Sequence, residues 1–141
     1  MRRAHRTRQI LNYANLSTPA GLLIGRLGGG RAVRHETGLV LVYGCRLIPP
    51  RAGAFTVGSV VMTKRPPEED YLSGRLLAHE ARHAWQWSGC VLVPLGAVLY
   101  LLALTASYVI CGDPGSWNVF ERMANLEDGG YARLAPWWSR T

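Results

Sequence analysis

The segment His79-Glu80-Ala81-Arg82-His83 constrains the fold of this chain most, because its two histidines can act together only on a helix. Residues four positions apart lie about one turn apart on the same face of an α-helix, so both imidazoles can reach one point in space. Glu80 then projects from the adjoining edge of that face. We therefore expect a helix over residues 71–88 that presents these three side chains to a common site.

Two imidazoles and a carboxylate at this spacing have a specific chemistry. Neutral imidazole is a good zinc ligand, and catalytic zinc keeps one coordination position for a water molecule. A neighbouring carboxylate can deprotonate that water as a general base. His79 and His83 are therefore predicted metal ligands, and Glu80 a predicted catalytic base. The alternative is an ordinary amphipathic helix whose histidines are surface or packing residues.

A third protein ligand is needed, because catalytic zinc typically takes three. Glu121 is the preferred candidate, since it lies on a predicted short helix over residues 116–125 among apolar neighbours, where a buried carboxylate needs a partner. Other side chains compete for the same role, namely Asp113, Glu127, Asp128 and His35. We expect the helix to begin at Ser116, a residue type that caps helices.

The pattern His79-Glu80-x-x-His83, with Glu121 in an Asn-x-x-Glu-x-x-Ala context, resembles the zincin metallopeptidases of the gluzincin type. Gln86 extends the likeness to the H-E-x-x-H-x-x-Q of small bacterial zincin-like domains of unsettled function. The resemblance covers residues 54–125. It implies that His79, His83 and Glu121 bind zinc, that Glu80 activates the bound water, and that the substrate is a peptide or protein.

The segments around the motif predict an α+β fold, a minimal zincin-like domain that spans residues 1–141. Residues 38–45 are a continuous β-prone run between glycines and predict a buried strand. Residues 54–64 predict a second strand with a bulge at Gly58. We expect a small sheet of two or three strands, then the motif helix, an apolar helix and a short helix that carries Glu121. A peptide could pair with an exposed strand of such a sheet, and the oxyanion stabiliser is left open between Tyr131 and Arg122.

The beginning of the chain is strongly basic. Residues 1–34 contain seven arginines and no carboxylate, and the formal net charge is +7. A basic end of this kind suits an anionic membrane surface or nucleic acid. No aromatic residue interleaves with the arginines of residues 2–8, which argues against single-stranded nucleic acid. We interpret residues 1–16 as a basic tail, solvated or facing lipid, with a short helix over residues 7–15.

Residues 91–110 form the longest uncharged run, which predicts an apolar helix that is buried or associated with a membrane. If this helix crossed a bilayer once, His79 and Glu121 would be separated by the hydrocarbon core of about 30 Å. The predicted metal site therefore requires a helix that packs beside the motif helix or lies partly in a bilayer. The three cysteines are odd in number and lack C-x-x-C spacing, which favours free thiols and a cytoplasmic location, with membrane association as an addition.

Three functional hypotheses follow. The first is a zinc-dependent hydrolase, a metallopeptidase in which Glu80 activates a zinc-bound water. The second is a non-catalytic, membrane-associated interaction protein that retains a zinc-binding zincin scaffold. The third is a helical anchor whose motif is a coincidence and which binds no metal.

Overall fold

The computed structural model describes residues 2–90 and 92–140. Within these residues the chain is an α+β fold with five α-helices and a four-stranded mixed sheet. In chain order the elements are α1 (Arg3–Ala14), α2 (Ser17–Leu27), β1 (Arg31–Arg34), β2 (Val40–Tyr43), β3 (Ala54–Val57), β4 (Val60–Thr63), α3 (Gly74–Ser88), α4 (Val93–Cys111) and α5 (Val119–Met123). Single 3₁₀ turns lie at Pro67–Glu69 and Trp137–Ser139.

The sheet has the strand order β1-β2-β4-β3, and its two central strands, β2 and β4, are buried on both faces. β2 and β4 are parallel, while β1 and β3 pair antiparallel with them at the two edges. One face packs against α3 through Leu41, Tyr43 and Val61. The other face packs against α2 through Val42 and Met62. Burial on both faces explains the continuous apolar run of residues 38–45, because neither side of β2 meets water. The buried strand predicted in these residues is confirmed.

Four strands replace the two or three that were expected. Residues 54–64 form a hairpin, because Gly58 adopts a left-handed φ of 62° and starts a two-residue turn rather than a bulge. A Cβ atom at Gly58 would lie 2.4 Å from the Thr18 backbone nitrogen, so glycine is also required for α2 to approach. β1 was not predicted, since its four residues are all exposed and carry no apolar pattern.

The segment interpreted as a basic tail is a helix that packs against the domain. α1 contacts both α2 and α3. Asn12 donates from Nδ2 to the Ala84 carbonyl at 2.8 Å, and Asn15 donates to the Trp87 carbonyl at 2.7 Å. Arg8 is buried and donates to the Thr37 carbonyl at 2.7 Å. α1 therefore secures the C-terminal part of α3, the helix that carries the histidines.

α4 is unusual because it is apolar and largely exposed. It has 19 residues with a mean hydropathy of 2.0, and 11% of its apolar window is buried. Length and composition would allow it to cross a membrane, a criterion that core helices of soluble proteins also meet. The chain turns back after Gly112, and Glu121 then lies 3.1 Å from His79. This contact is incompatible with a bilayer between the two residues.

Candidate metal centre

α3 carries three buried polar side chains, those of His79, Glu80 and His83. The helix begins at Gly74 rather than near Asp70, because Asp70 adopts a left-handed φ of 45° that ends the preceding 3₁₀ turn. Its apolar side packs on the sheet, and its two histidines lie on the adjoining side toward α5. The predicted motif helix is confirmed, and it holds both imidazoles away from solvent.

α5 supplies the third group. Asn118 caps this short helix, since its Oδ1 accepts a hydrogen bond from the Phe120 backbone N–H at 3.0 Å. Ser116 is not the cap that was expected, because its hydroxyl lies 2.7 Å from both Asp113 Oδ2 and the Ala132 carbonyl and shares its one hydrogen between them. The cap directs the buried side chain of Glu121 toward α3.

His79, His83 and Glu121 converge on one point. The two Nε2 atoms are 3.0 Å apart, and they lie 3.1 Å and 3.2 Å from Glu121 Oε2. Zinc binds nitrogen and oxygen ligands at roughly 2.0–2.2 Å, so one ion can contact all three atoms of a triangle with these edges. The three side chains could therefore hold a metal ion.

The second nitrogen of each imidazole shows where the ring protons lie. His79 Nδ1 is 2.8 Å from the Asn125 carbonyl, which can only accept a hydrogen bond, so Nδ1 carries the proton. His83 Nδ1 is 2.8 Å from Gln86 Oε1, and Gln86 Nε2 donates to the Phe120 carbonyl at 2.9 Å, which fixes the orientation of the amide. Each neutral ring thus presents an Nε2 lone pair, as a metal ligand must.

Three lone pairs that face one another need a cation among them. Burial lowers the pKa of each histidine, but the hydrogen bond to Glu121 and the smaller effects of other neighbouring acceptors and of the Glu80 charge together outweigh it and raise both pKa values above the ordinary 6.5. Burial would raise the pKa of Glu121, yet hydrogen bonds from His79, His83 and Tyr100 hold it at about 2. Without a metal ion, a proton on an imidazole therefore meets this need. With one, the metal takes the place of the proton.

The stabilisation that a metal ion provides should increase with pH. In the metal-free protein, the histidine–carboxylate attraction stabilises the fold below the ordinary histidine pKa of 6.5 and is lost as pH rises through the raised pKa. Metal binding displaces the same proton, so it strengthens over this rise. We expect the melting temperature of the zinc-loaded protein to exceed that of the metal-free protein by a margin that grows between about pH 5 and pH 9. Parallel curves would contradict the assignment.

Glu80 is held beside the cluster by β3. Thr56 Oγ1 donates to Glu80 Oε2 at 2.6 Å, and both side chains are buried. Burial raises the pKa of Glu80 above its ordinary value, although the histidines and Thr56 oppose the shift. Glu80, His83 and Glu121 line one cavity of about 450 Å³. A carboxylate with a raised pKa in such a cavity can accept a proton and release it again.

Tyrosines complete the site. The Tyr100 hydroxyl, from the middle of α4, donates to Glu121 Oε1 at 2.5 Å. Tyr131 lines the cavity with its ring 6.1 Å from that of His79, and burial raises its pKa, which keeps its hydroxyl protonated. Arg122, the other candidate oxyanion stabiliser, is exposed and lies over Trp117 at 4.7 Å. Of the two, Tyr131 is the one at the cavity.

Asp128 holds the loop that orients His79. Its carboxylate accepts hydrogen bonds from Arg75 at 2.7 Å and from Arg82 at 2.8 Å, which tie this loop to α3. The loop brings the Asn125 carbonyl to the imidazole. A Cβ atom at Gly129 would lie 2.6 Å from His79 Cε1, so only glycine fits there.

The remaining candidate ligands lie elsewhere. Asp113 accepts from the backbone N–H groups of residues 115 and 116, Glu127 pairs with Arg133 on the surface, and His35 bonds to Thr37. Sequence reasoning missed Thr56, Tyr100 and Asn125 as partners of the site. Tyr100 carried a signal, a hydroxyl in the middle of an uncharged run, whereas Asn125 contributes a backbone carbonyl that any residue has.

Removing the Gln86 amide should weaken metal binding. In Gln86→Met, His83 Nδ1 loses its acceptor, and loss of a hydrogen bond that orients a metal-binding histidine typically costs about 10–100-fold in affinity. Competition with a chromophoric chelator measures the change. Gln9→Met is the matched control, because its amide donates only to the Gly38 carbonyl, away from the cluster. Equal affinities in the two variants would show that Gln86 does not orient the ligand.

Fold and site together define an α+β domain with a buried two-histidine, one-glutamate cluster able to hold a metal ion. No protein-family model, no curated protein and no solved structure matches this chain.

Proposed function

We propose that this protein is a zinc-dependent hydrolase, a metallopeptidase of zincin type, in which Glu80 activates a water molecule on the metal. The observation that carries the proposal is the convergence of His79 Nε2, His83 Nε2 and Glu121 Oε2 within 3.2 Å, with the ring protons directed away. A second carboxylate, that of Glu80, faces the same cavity. A purely structural helix has no need of this combination.

The donor set supports zinc among the common metals. Two imidazoles and one carboxylate are an established set for catalytic zinc, and they leave a position for water. Calcium and magnesium prefer oxygen ligands, and within residues 2–90 and 92–140 no thiolate joins the cluster to favour a structural zinc site. A bound zinc ion would polarise the scissile carbonyl and make the water a stronger acid.

Each neighbouring side chain has a role in this proposal. Glu80 takes the proton of the attacking water and passes it to the leaving amine, while Thr56 holds its carboxylate in place. The protonated hydroxyl of Tyr131 is a donor for the oxyanion that forms on the substrate. β3 is an edge strand that lines the cavity, so an extended peptide can pair with it as an added strand, except at the Thr56 carbonyl, which already accepts a hydrogen bond from Trp87 Nε1 at 2.9 Å.

Metal removal tests the proposal. Zinc-loaded protein should cleave members of a peptide library, a chelator should stop the cleavage, and added zinc should restore it, because the ion supplies the Lewis acid. Mass spectrometry of the products identifies the cleaved bonds. Cleavage that persists in chelator would point to a contaminating or metal-independent peptidase, and a loaded protein that cleaves nothing would contradict the proposal.

The exposure of α4 favours a second candidate function, a non-catalytic, membrane-associated interaction protein that keeps the metal-binding scaffold. Nearly nine-tenths of its apolar window is unburied, and apolar surface of this extent usually marks an interaction site. Its partner would be an anionic membrane surface, given the net charge of +7. This candidate predicts bound metal without hydrolysis.

A further inference from the structure

We infer that the cavity at the metal centre opens toward a lipid bilayer, between α2 and α4, and that its substrate is an apolar polypeptide segment presented by that bilayer. The inference rests on the proposed peptidase function for its chemistry. It rests on the walls of the cavity for the identity of the substrate.

α4 is one wall of the cavity and also carries an exposed apolar surface. Gly96, Ala97, Tyr100 and Leu104 line the cavity at helical spacing. Leu95, Val98, Leu99, Leu102 and Val109 are exposed on the rest of the helix. Leu101 belongs to both sets, since it lines the cavity and is 59% exposed. The apolar surface of α4 therefore continues into the cavity at Leu101.

α2 forms a second wall of the cavity, and it too exposes apolar side chains beside it. Ala20 and Ile24 line the cavity from α2. Leu23 and Leu27 lie within one helical turn of them, and Leu16 immediately precedes the helix; each of the three is more than half exposed. The cavity thus lies between two helices that both expose leucines beside it.

A bilayer covers such a surface better than a soluble protein would. α4 has 19 residues and no charged side chain, so its exposed apolar face can lie against the hydrocarbon without crossing the bilayer. At its C-terminal end, Trp137 packs on Gly112 and Arg140 donates to the Cys111 carbonyl at 2.6 Å. Trp138 beside them is 76% exposed. Tryptophan with arginine at the end of an apolar helix is typical of a membrane–water interface.

The side chains that line the cavity favour an apolar polypeptide segment over a polar one. Beyond Glu80, Glu121 and His83, Arg51 is the one charged residue among the described residues that line the cavity. The larger apolar side chains are Ile24, Phe55, Trp87, Leu101, Leu104 and Phe120. A polar segment would lose its hydration here without finding partners, whereas an apolar segment gains from leaving water.

Photocrosslinking of the full-length chain tests the inference without relying on turnover. Benzoylphenylalanine replaces Leu104, in the cavity, or Leu102, on the exposed side, in a zinc-loaded Glu80→Gln background. The probe is a leucine-rich peptide in vesicles of phosphatidylcholine and phosphatidylglycerol. A water-soluble peptide with serine in place of leucine is the comparison. Vesicle flotation reports membrane binding separately.

We expect position 104 to capture the vesicle peptide at least about tenfold more than the polar peptide, equivalent to about 1.4 kcal/mol, and position 102 to capture lipid. Ala97→Trp should block capture at position 104 by filling the cavity. Ala106→Trp, on the exposed side of the same helix, should not. The comparison of the two peptides at position 104 does not use Ala97→Trp, so it tests the inference even if that variant does not fold.

Equal capture of both peptides, a protein that does not float with vesicles, or crosslinks from position 102 to a second copy of the chain would overturn the inference. The proposed peptidase function fails differently. Selective capture, combined with no cleavage by the protein that retains Glu80, would refute the peptidase alone. Cleavage of the polar peptide with no preference for the apolar one would refute the inference alone.

Discussion

Glu121→Ala is expected to lose its metal ion. The variant leaves the Nε2 atoms of His79 and His83 with no carboxylate, and a site with two ligands binds zinc far more weakly than one with three. We expect affinity to fall by more than about a hundredfold, or roughly 2.7 kcal/mol. Mass spectrometry of protein purified without added metal should find about one zinc per chain in the wild type and almost none in the variant.

Glu127→Ala is the matched control for this measurement. Glu127 is six residues further along the chain, is exposed, and pairs only loosely with Arg133 at 3.5 Å. Its removal should leave the metal content unchanged. A Glu121→Ala protein that kept its zinc would move the third ligand elsewhere, while a wild type with no metal would leave the histidine pair without the role proposed for it.

Glu80→Gln is expected to abolish peptide hydrolysis and to keep the metal. Glutamine has nearly the same shape and can still accept the hydrogen bond of Thr56, but it cannot take a proton from water. General acid–base catalysis contributes typically about 10²–10⁴-fold, so turnover should fall by at least that factor. Product formation from a cleaved library peptide, together with zinc content, measures both effects.

The stability of this variant provides a further check. Glu80 is buried, and burial raises its pKa. The charged form of this carboxylate therefore destabilises the folded state. The glutamine variant should therefore melt at the same temperature or higher, as substitutions of strained active-site residues often do. Glu69→Gln, at an exposed carboxylate, is the control. Unchanged hydrolysis in Glu80→Gln would show that Glu80 is not the general base. No hydrolysis by either protein would favour the non-catalytic alternative.

The site was more predictable from sequence than the fold around it. His79 and His83 are linked by a local rule, the spacing of an α-helix, and Glu121 was chosen because an isolated buried carboxylate is costly. Gln86 was noted through the resemblance, and the structure gives it a physical task in orienting His83. These inferences depend on short-range geometry and on the chemistry of single side chains.

The errors concern pairings between distant parts of the chain. β1 forms because its backbone pairs with β2. The exposed sequence Arg-Ala-Val-Arg has no pattern that predicts this pairing. α1 contains the arginines that suggested a tail, yet it is anchored by Asn12 and Asn15, whose partners are backbone carbonyls of α3 and the turn after it. Backbone acceptors have no sequence signature, so such contacts appear only in three dimensions. The cysteines are free thiols, as expected.

The position of α4 in the chain gives metal binding a wider effect. His79 and Glu121 are 42 residues apart, and the whole of α4 lies between them. An ion shared by these residues closes that stretch into a ring, as a covalent crosslink would, and reduces the freedom of the unfolded chain. If the site binds an ion, metal binding and the docking of α4 would therefore be coupled equilibria. Removal of that ion would then loosen the most apolar helix of the chain.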